Sequence, residues 1–321
     1  MMTLGQLKTF FATATVNQSL SGTNSSMGNI VHWVATDIIS TADFWWNRGS
    51  ASFDTVDGTA QYFLSNQVLE DKIWGMFDED NDKPLHKKDL EWIYAADPTP
   101  TDEGDADYWA YVGQASCQAV ATAAGTVSVS SSASADTQKD VVITGVSSGV
   151  ERYEILTLQG TSTVAGTVSW AVTPPLSINL EEICTGVVTV TRGAVTVAEI
   201  PPKHLRVLRP HIRLFKVPGT TGDTINYFFY KRATEPVSDA DLIDIPDIAF
   251  KALRYGLEEI SFFLVGKLQA STAAHKKYQE AIRELIAVSE RDIAGNEIKN
   301  WRESIPLTYR LPDTITGSVL V

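Results

Sequence analysis

The chain has 321 residues, 44% of them hydrophobic, and a formal net charge of −13, so it is long enough for two domains of ordinary size. The acidic charge argues against a protein that grips nucleic acid, because such proteins need a basic surface to neutralise phosphates. No run of about 18 apolar residues and no signal-peptide pattern is present, so we expect neither a membrane span nor an export signal.

The first forty residues predict two amphipathic helices. Apolar residues at three- and four-residue steps form a short first stripe at Leu4, Leu7, Phe10 and Phe11. A longer stripe predicts a second helix, through Met27, Ile30, Val31, Val34, Ala35, Ile38 and Ile39. Trp33 lies off this stripe, so we expect it to face a neighbouring element or a loop.

Residues 43–64 are aromatic and rich in turn formers. We interpret Phe44-Trp45-Trp46 as part of a core, with an exposed interface anchor as the alternative. Residues 50–64 predict two short strands paired about Asp57-Gly58, a strong hairpin signal. Residues 68–77 predict a further strand and residues 88–94 a short helix.

Residues 117–200 predict an inserted immunoglobulin-like β-sandwich. The segment is rich in Val, Thr, Ser, Ala and Gly, and turn residues separate short alternating runs at about ten-residue spacing. These runs are 127–129, 140–143, 153–158, 167–170, 186–190 and 194–197. Trp170 is predicted to fill the core, and Cys117 and Cys184 are interpreted as reduced, buried thiols.

The C-terminal third predicts strands and then two long helices. Residues 212–215 and 225–230 are expected to pair about the turn at 219–223. Helical periodicity then predicts a hairpin of helices at 246–269 and 271–292. The remaining residues contain Pro306, Pro312 and Gly317 and predict an extended arm.

The predicted fold class is therefore α+β. It consists of a helical-hairpin domain with short antiparallel strands, interrupted by the inserted β-sandwich. The predicted boundaries are 1–116 for the N-terminal part of the hairpin domain, 117–200 for the sandwich, 201–295 for the C-terminal part and 296–321 for the arm.

Few patterns suggest chemistry. Ser147 lies in a G-x-S-x-G pattern, but a nucleophile elbow needs a helix directly afterwards and a strand is predicted there, so we interpret it as a sandwich turn. Asp78, Asp80 and Asp82 resemble the start of a calcium loop, but Lys83 occupies the position that requires glycine.

Two further groups of titratable residues are candidates for acid–base catalysis or metal binding. A charged loop contains Asp102, Glu103, Asp105 and Asp107, and a general acid–base pair there is the remote alternative. Histidines 32, 86, 204, 211 and 275 show no metal-ligand spacing. We therefore predict no enzyme activity, no cofactor and no metal site.

The order of several degenerate pieces resembles a known family. These pieces are Phe44-Trp45-Trp46, the hairpin from Gly58 to Leu64, the strands at 212–215 and 227–232, Asp244-Ile245-Pro246-Asp247, and Ala252-Leu253-Arg254-Tyr255-Gly256. Together they resemble the head-to-tail adaptor, or connector and neck, proteins of tailed bacteriophages. The match covers about residues 1–116 and 201–292, and the inserted segment is similar to β-sandwich modules of phage structural proteins.

The resemblance implies a virion structural protein that is assembled in the bacterial cytoplasm and located in the neck or tail. Its expected partners are further copies of itself in a ring of twelve, the portal protein, tail or neck proteins, and fibres through the sandwich. Double-stranded DNA would pass through the ring without specific binding. The arm is expected to bind the portal through Trp301, Ile305, Leu307, Tyr309, Leu311, Ile315, Val319 and Leu320.

Two other functions remain open at this point. A tail-tube or tail-completion protein of the same virion would also form stacked rings. A carbohydrate-binding adhesin would use exposed aromatic residues of the sandwich, where the sequence offers only Tyr153 and Trp170. A hydrolase based on Ser147 is the weakest alternative.

Overall fold

A computed structural model describes residues 2–13, 24–99, 102–119, 123–173, 175–236, 238–264 and 266–292. The chain divides into two compact units. The helical unit combines Met1–Gly49 with Tyr230–Val321, and the β unit is Ser50–Phe229.

Five α-helices lie within the described residues. They are α1 (Leu4–Thr13), α2 (Asn24–Thr41), α3 (Leu90–Ala96), α4 (Phe250–Leu264) and α5 (Leu268–Asp292). Two short 3-10 helices, Trp45–Asn47 and Asp247–Ala249, precede β1 and α4 respectively.

Fourteen strands lie within the same described residues. They are β1 (Arg48–Asp54), β2 (Gln61–Phe63), β3 (Val68–Asp78), β4 (Lys83–Lys87), β5 (Tyr108–Ala115), β6 (Ser128–Ser131), β7 (Thr137–Ser147), β8 (Val150–Gln159), β9 (Val164–Ala165), β10 (Ser177–Leu180), β11 (Val188–Arg192), β12 (Val195–Ile200), β13 (Arg209–Phe215) and β14 (Thr224–Lys231).

The predicted fold class, a helical-hairpin domain with short antiparallel strands, is wrong. Strands dominate the chain, and seven of them form one large sheet in the order β1-β14-β3-β4-β5-β13-β2. The sheet is mixed, because β4 and β5 pair in parallel while β13 is antiparallel to both β2 and β5. Strands, and not the helical hairpin, therefore make up most of the regular structure.

The strands of the two predicted hairpins pair between the hairpins and not within them. Strand β1 lies beside β14 and β2 pairs with β13, so neither β1–β2 nor β13–β14 is a hairpin. The cause lies in the two turns, which bond to each other. The Thr55 amide donates to the Asp223 carbonyl at 2.8 Å, the Gly222 amide to the Thr55 carbonyl at 2.9 Å, and the Gly58 amide to the Pro218 carbonyl at 3.0 Å.

The sheet surrounds a core of aromatic and branched side chains. Tyr62, Trp109, Ile212, Leu214 and Tyr227 are among its buried members. Strand β3 lies where residues 68–77 predict it, and α3 lies close to the predicted short helix.

The helices of the helical unit begin and end close to their predicted positions. Helix α2 buries its whole apolar stripe, while Trp33, off the stripe, is 63% exposed. Helix α4 ends before residue 269 because Gly266 adopts a φ of 73°. The amides of Gly266 and Lys267 then donate to the carbonyls of Phe263 and Phe262, which is the usual glycine-terminated helix end.

Residues 117–200 contain two small sheets that share one core. The sheet β10-β7-β8 and the sheet β12-β11-β6-β9 both contribute to it. Trp170 is completely buried there, as predicted, although residues 167–170 form no strand. Strand β10, which the sequence analysis missed, buries Ile178 and Leu180.

A buried carboxylate links two loops of this segment. Asp136 is 0% exposed and accepts hydrogen bonds from the Ser131 hydroxyl at 2.6 Å, the Lys139 ammonium at 3.0 Å, the Thr185 amide at 2.9 Å and the Gly186 amide at 2.9 Å. Burial alone would raise the pKa of Asp136, but these hydrogen bonds together hold it well below its ordinary value.

Candidate functional site

The residues predicted to bind the portal lie outside the described part of the chain. All eight, from Trp301 to Leu320, follow Asp292, where the description ends. Their role stays a prediction from the sequence.

The G-x-S-x-G pattern at 145–149 is a turn. Ser147 pairs with Val150, so β7 and β8 form a hairpin whose two loop residues are Ser148 and Gly149. These residues have φ values of 53° and 79°, as a tight two-residue hairpin turn requires. Ser147 therefore occupies a strand end and not a nucleophile elbow.

The acidic pattern at residues 78–82 is also a turn. The Asp78 carboxylate accepts hydrogen bonds from the backbone and side-chain nitrogens of Asn81 at 3.0 and 2.9 Å. The Asp80 carboxylate accepts one from the Thr224 amide at 2.6 Å. Each carboxylate thus serves the local fold, and no group of His, Cys, Asp or Glu in the described residues is arranged to hold a metal ion.

His211 is a core residue of the β unit. It is 5% exposed, and its ring stacks on Phe63 with 4.8 Å between centroids. Burial lowers the pKa of His211 to about 4, so the ring is neutral at pH 7.

Both cysteines are buried free thiols, as predicted. The Cys117 thiol donates to the Leu176 carbonyl at 3.0 Å, and burial raises its pKa to about 12. Burial also raises the pKa of Cys184. These thiols are consequently poor nucleophiles in the folded protein.

We expect iodoacetamide at pH 8 to alkylate Cys117 and Cys184 on the order of a hundredfold more slowly in the native protein than in urea, because only the exposed thiolate reacts. Mass spectrometry of peptides taken at successive times would measure both rates. Complete labelling of either cysteine within minutes in the native state would contradict the burial described above.

A groove lies between α2, α4 and α5 of the helical unit. It has a cavity volume of about 260 Å³. It is lined by Trp33, Val34, Asp37, Gly256, Glu259, Ile260, His275 and Tyr278. Hereafter it is called the helical groove.

Close packing at Gly256 forms the floor of the helical groove. A Cβ atom there would lie 2.6 Å from Cγ1 of Val34 and 3.2 Å from the ring of Tyr278. The absence of a side chain therefore lets α4 approach both α2 and α5. Trp33 stands on the rim, which explains why it lies off the buried stripe of its own helix.

Hydrogen bonds hold the polar groups of the helical groove in place. The Tyr278 hydroxyl donates to Asp37 at 2.5 Å. Burial raises the pKa of Tyr278, and the bond to Asp37 raises it further. His275 Nδ1 lies 2.9 Å from Glu259, and His275 Nε2 lies 2.8 Å from the Gln279 side-chain nitrogen. Nδ1 can donate to the Glu259 carboxylate while Nε2 accepts from the Gln279 amide.

The helical groove combines apolar walls with negative charge. Its lining includes the carboxylates of Asp37 and Glu259 and no lysine or arginine. Trp33 and Tyr278 add aromatic rings. Such a surface suits an extended group that carries a positive charge, because π faces and carboxylates both attract cations.

A second exposed feature lies at the turn between α4 and α5. Phe263, Leu264 and Leu268, hereafter the hairpin tip, are each between 59% and 63% exposed. Adjacent exposed apolar side chains of this size mark a surface for protein contacts.

The sequence analysis identified Trp33 and Gly256 but assigned neither to a site. The off-stripe position of Trp33 was the available signal. The grouping of Asp37, Glu259 and His275 depends on how three helices pack, which no local pattern encodes.

No helix in the described residues is long and apolar enough to cross a membrane. No protein-family model matches the chain, and no curated protein matches it.

Proposed function

We propose that the chain is a head-to-tail adaptor of a tailed bacteriophage, a virion structural protein whose copies form a ring between the portal and the tail. One observation carries the proposal. Pieces of the sequence resemblance that lie far apart in the chain meet in the helical unit. The Asn47 side chain, only 6% exposed, donates to the Lys231 carbonyl at 2.8 Å across 184 positions.

Contacts around this hydrogen bond join the same two pieces. Phe44 is completely buried and stacks on Trp46 with 5.1 Å between centroids. The Arg48 guanidinium lies 5.9 Å from the centre of the Tyr230 ring. Asn47 and Arg48, which directly follow the first piece, thus contact the second piece, and this supports reading the two as one pattern.

The Ala-Leu-x-Tyr-Gly piece has an equally specific place. Ala252 and Leu253 are each 1% exposed, and Gly256 forms the floor of the helical groove. These residue types are required because α4 packs against two other helices. The close packing of this piece between helices supports the interpretation of this unit as a domain that assembles with other copies.

Charge and exposed apolar surface support the same function. The net charge of −13 repels phosphate, so DNA could move through a ring of such chains without being held. The hairpin tip supplies apolar surface that a partner protein would cover.

Of the two rival functions, the adhesin has less support in the structure. A tail-tube or tail-completion ring would share the features above, and the neighbours of the ring in a particle map would distinguish it. An adhesin would need aromatic residues on the sandwich surface, but Trp170 is completely buried and leaves Tyr153, which is 70% exposed.

Deletion of residues 296–321 tests the proposal. We expect full-length protein mixed with the portal of the same phage to give rings docked on portals in negative-stain electron micrographs. The shortened protein should keep the far-UV circular dichroism and melting temperature of the full-length chain but lose portal binding. Substitution of Trp301, Ile305 and Leu307 by alanine should reproduce the loss without shortening the chain.

Two results would count against this proposal. Normal portal binding by the shortened protein would eliminate the arm as the portal contact. Full-length protein that forms no ring and binds no component of the capsid vertex would eliminate the adaptor function itself.

A further inference from the structure

We propose that the helical groove of one copy receives a basic side chain from α5 of the next copy, with Arg283 as the main donor and Lys276 beside it. The inference rests on the proposed function in one respect, namely that identical copies associate side by side. It adds the residues that make the contact and the chemistry that selects them.

The charge of the helical groove favours a cationic occupant. The hydrogen bond from Tyr278 holds Asp37 in place but leaves its negative charge. Glu259 is held in the same way by His275, whose Nδ1 lies 2.9 Å away. The Arg254 guanidinium is engaged by Glu258 at 2.9 Å, so this nearby cation does not neutralise the groove.

The size of the helical groove suits a single side chain. Its volume of about 260 Å³ lies below the usual range of roughly 300 to 1,000 Å³ for small-molecule sites. Trp33, Val34 and Ile260 provide apolar surface for the aliphatic part of an arginine or lysine. The carboxylates then lie at the charged end, where arginine forms its strongest hydrogen bonds.

The same unit presents two basic side chains on another side of α5, with the exposed Glu280 one turn from each. Lys276 and Arg283 are exposed and lie seven positions apart, which places them two turns apart on one stripe of the helix. At about 100° per residue, this stripe lies about a quarter of a turn around α5 from His275 and about two fifths of a turn from Tyr278. Neither side chain forms an ion pair with a residue in the described part of the chain.

Among the residues of α4 and α5 whose side chains the structure describes, the other lysines and arginines have local partners. Lys251 pairs with Glu284 at 2.5 Å, and Lys277 lies 5.7 Å from the centre of the Tyr255 ring. Within that part of α5, Arg283 and Lys276 are therefore the lysine and arginine side chains that remain available to a second molecule.

An acidic groove and a basic stripe on different sides of one helical unit define a head-to-tail contact. Each copy can offer its stripe to one neighbour and its groove to another, and this arrangement closes into a ring when the rotation between copies allows it. A symmetric two-fold dimer sets residue i against j and j against i, so it would need the groove and the stripe of one copy to face the same partner at once.

Charge reversal in the full-length protein tests the inference. We expect Glu259→Lys and Arg283→Glu each to weaken self-association at least about tenfold, because each variant faces a like charge across the contact. The double variant restores an opposite pair and should return the dissociation constant to within about threefold of wild type. Sedimentation velocity at low salt, over a range of protein concentrations, would measure all four constants.

Glu151→Lys serves as the matched control, because it makes the same charge change on the exposed end of β8. It should associate like the wild type, and circular dichroism should show all variants folded. Wild-type association by Glu259→Lys, or a double variant no better than the single ones, would overturn the groove contact while leaving the ring in place. A wild-type chain that stays monomeric would also overturn the groove contact. Portal binding would then test the adaptor function separately.

Discussion

Replacing Asp136 by asparagine should lower the free energy of unfolding of the 117–200 segment by about 3 to 5 kcal/mol, the cost of breaking a buried charged network. The carboxylate is 0% exposed and accepts hydrogen bonds from Ser131, Lys139, Thr185 and Gly186. An asparagine amide presents two N–H donors where the carboxylate accepts, so donors would face donors. The Lys139 ammonium would also lose its counter-charge.

The loss should be local. Hydrogen–deuterium exchange with mass spectrometry would report it as faster exchange in peptides covering β6, β7 and β11, with peptides of α4 and α5 unchanged. Asp140→Asn is the control, because Asp140 lies nearby on β7 and accepts one exposed hydrogen bond, from the Thr157 hydroxyl. Equal exchange in the two variants would mean that the Asp136 network contributes little.

The pH dependence follows from the sign of the pKa shift. The pKa of Asp136 is lower in the folded protein than in the unfolded chain, where an aspartate titrates near about 3.9. Its contribution is therefore complete above that pH and is lost as the pH falls toward the folded pKa. Once exchange is corrected for the intrinsic rate at each pH, wild-type protection should fall below about pH 4, and the Asp136→Asn variant should lack this part of the change.

The sequence pattern predicted where most helices and strands lie, but not how the strands pair in the large sheet. Apolar periodicity placed α2, α4 and α5 within a few residues, because a helix is specified by neighbours three and four positions apart. The strands β1, β2, β13 and β14 were also located, yet their pairing was mispredicted. Asp57-Gly58 and the turn at 219–223 each look like a local hairpin signal.

The pairing error has a specific cause. The Thr55 amide and carbonyl both bond to the facing loop, to Asp223 and Gly222 respectively. Backbone groups of each turn therefore form their hydrogen bonds with the other turn, more than 160 positions away in the chain. A turn signal indicates that the chain reverses there, but it does not say which strand lies alongside.

The helical groove shows the same limit at the level of a site. Asp37, Glu259 and His275 come from three helices, and each alone resembles an ordinary surface residue. Their grouping follows from the packing of α4 at Gly256, which the sequence marked only as the last residue of the Ala252–Gly256 piece. Side chains on three separate helices become neighbours only once those helices have docked.

Replacing Gly256 by leucine should therefore lower the free energy of unfolding of the helical unit by about 3 kcal/mol, the upper part of the usual range for overpacking a core. The first added atom would already lie 2.6 Å from Val34 Cγ1 and 3.2 Å from the Tyr278 ring. Replacing a glycine in a helix interior stabilises the helix by about 1 kcal/mol at most. The steric cost is larger, so the variant should be less stable than the wild type. Thermal unfolding followed by circular dichroism at 222 nm would measure the loss.

Ala273→Leu is the matched control for this change. Ala273 lies on an exposed position of α5, where the same increase in volume should alter stability by no more than about 0.5 kcal/mol. If the groove contact between copies is correct, Gly256→Leu should also weaken self-association at temperatures where the protein is still folded, because α2 and α5 must move apart at the floor of the groove. A Gly256→Leu protein as stable as the wild type would show that α4 does not need glycine at this crossing, and the groove would then have to be supported by other contacts.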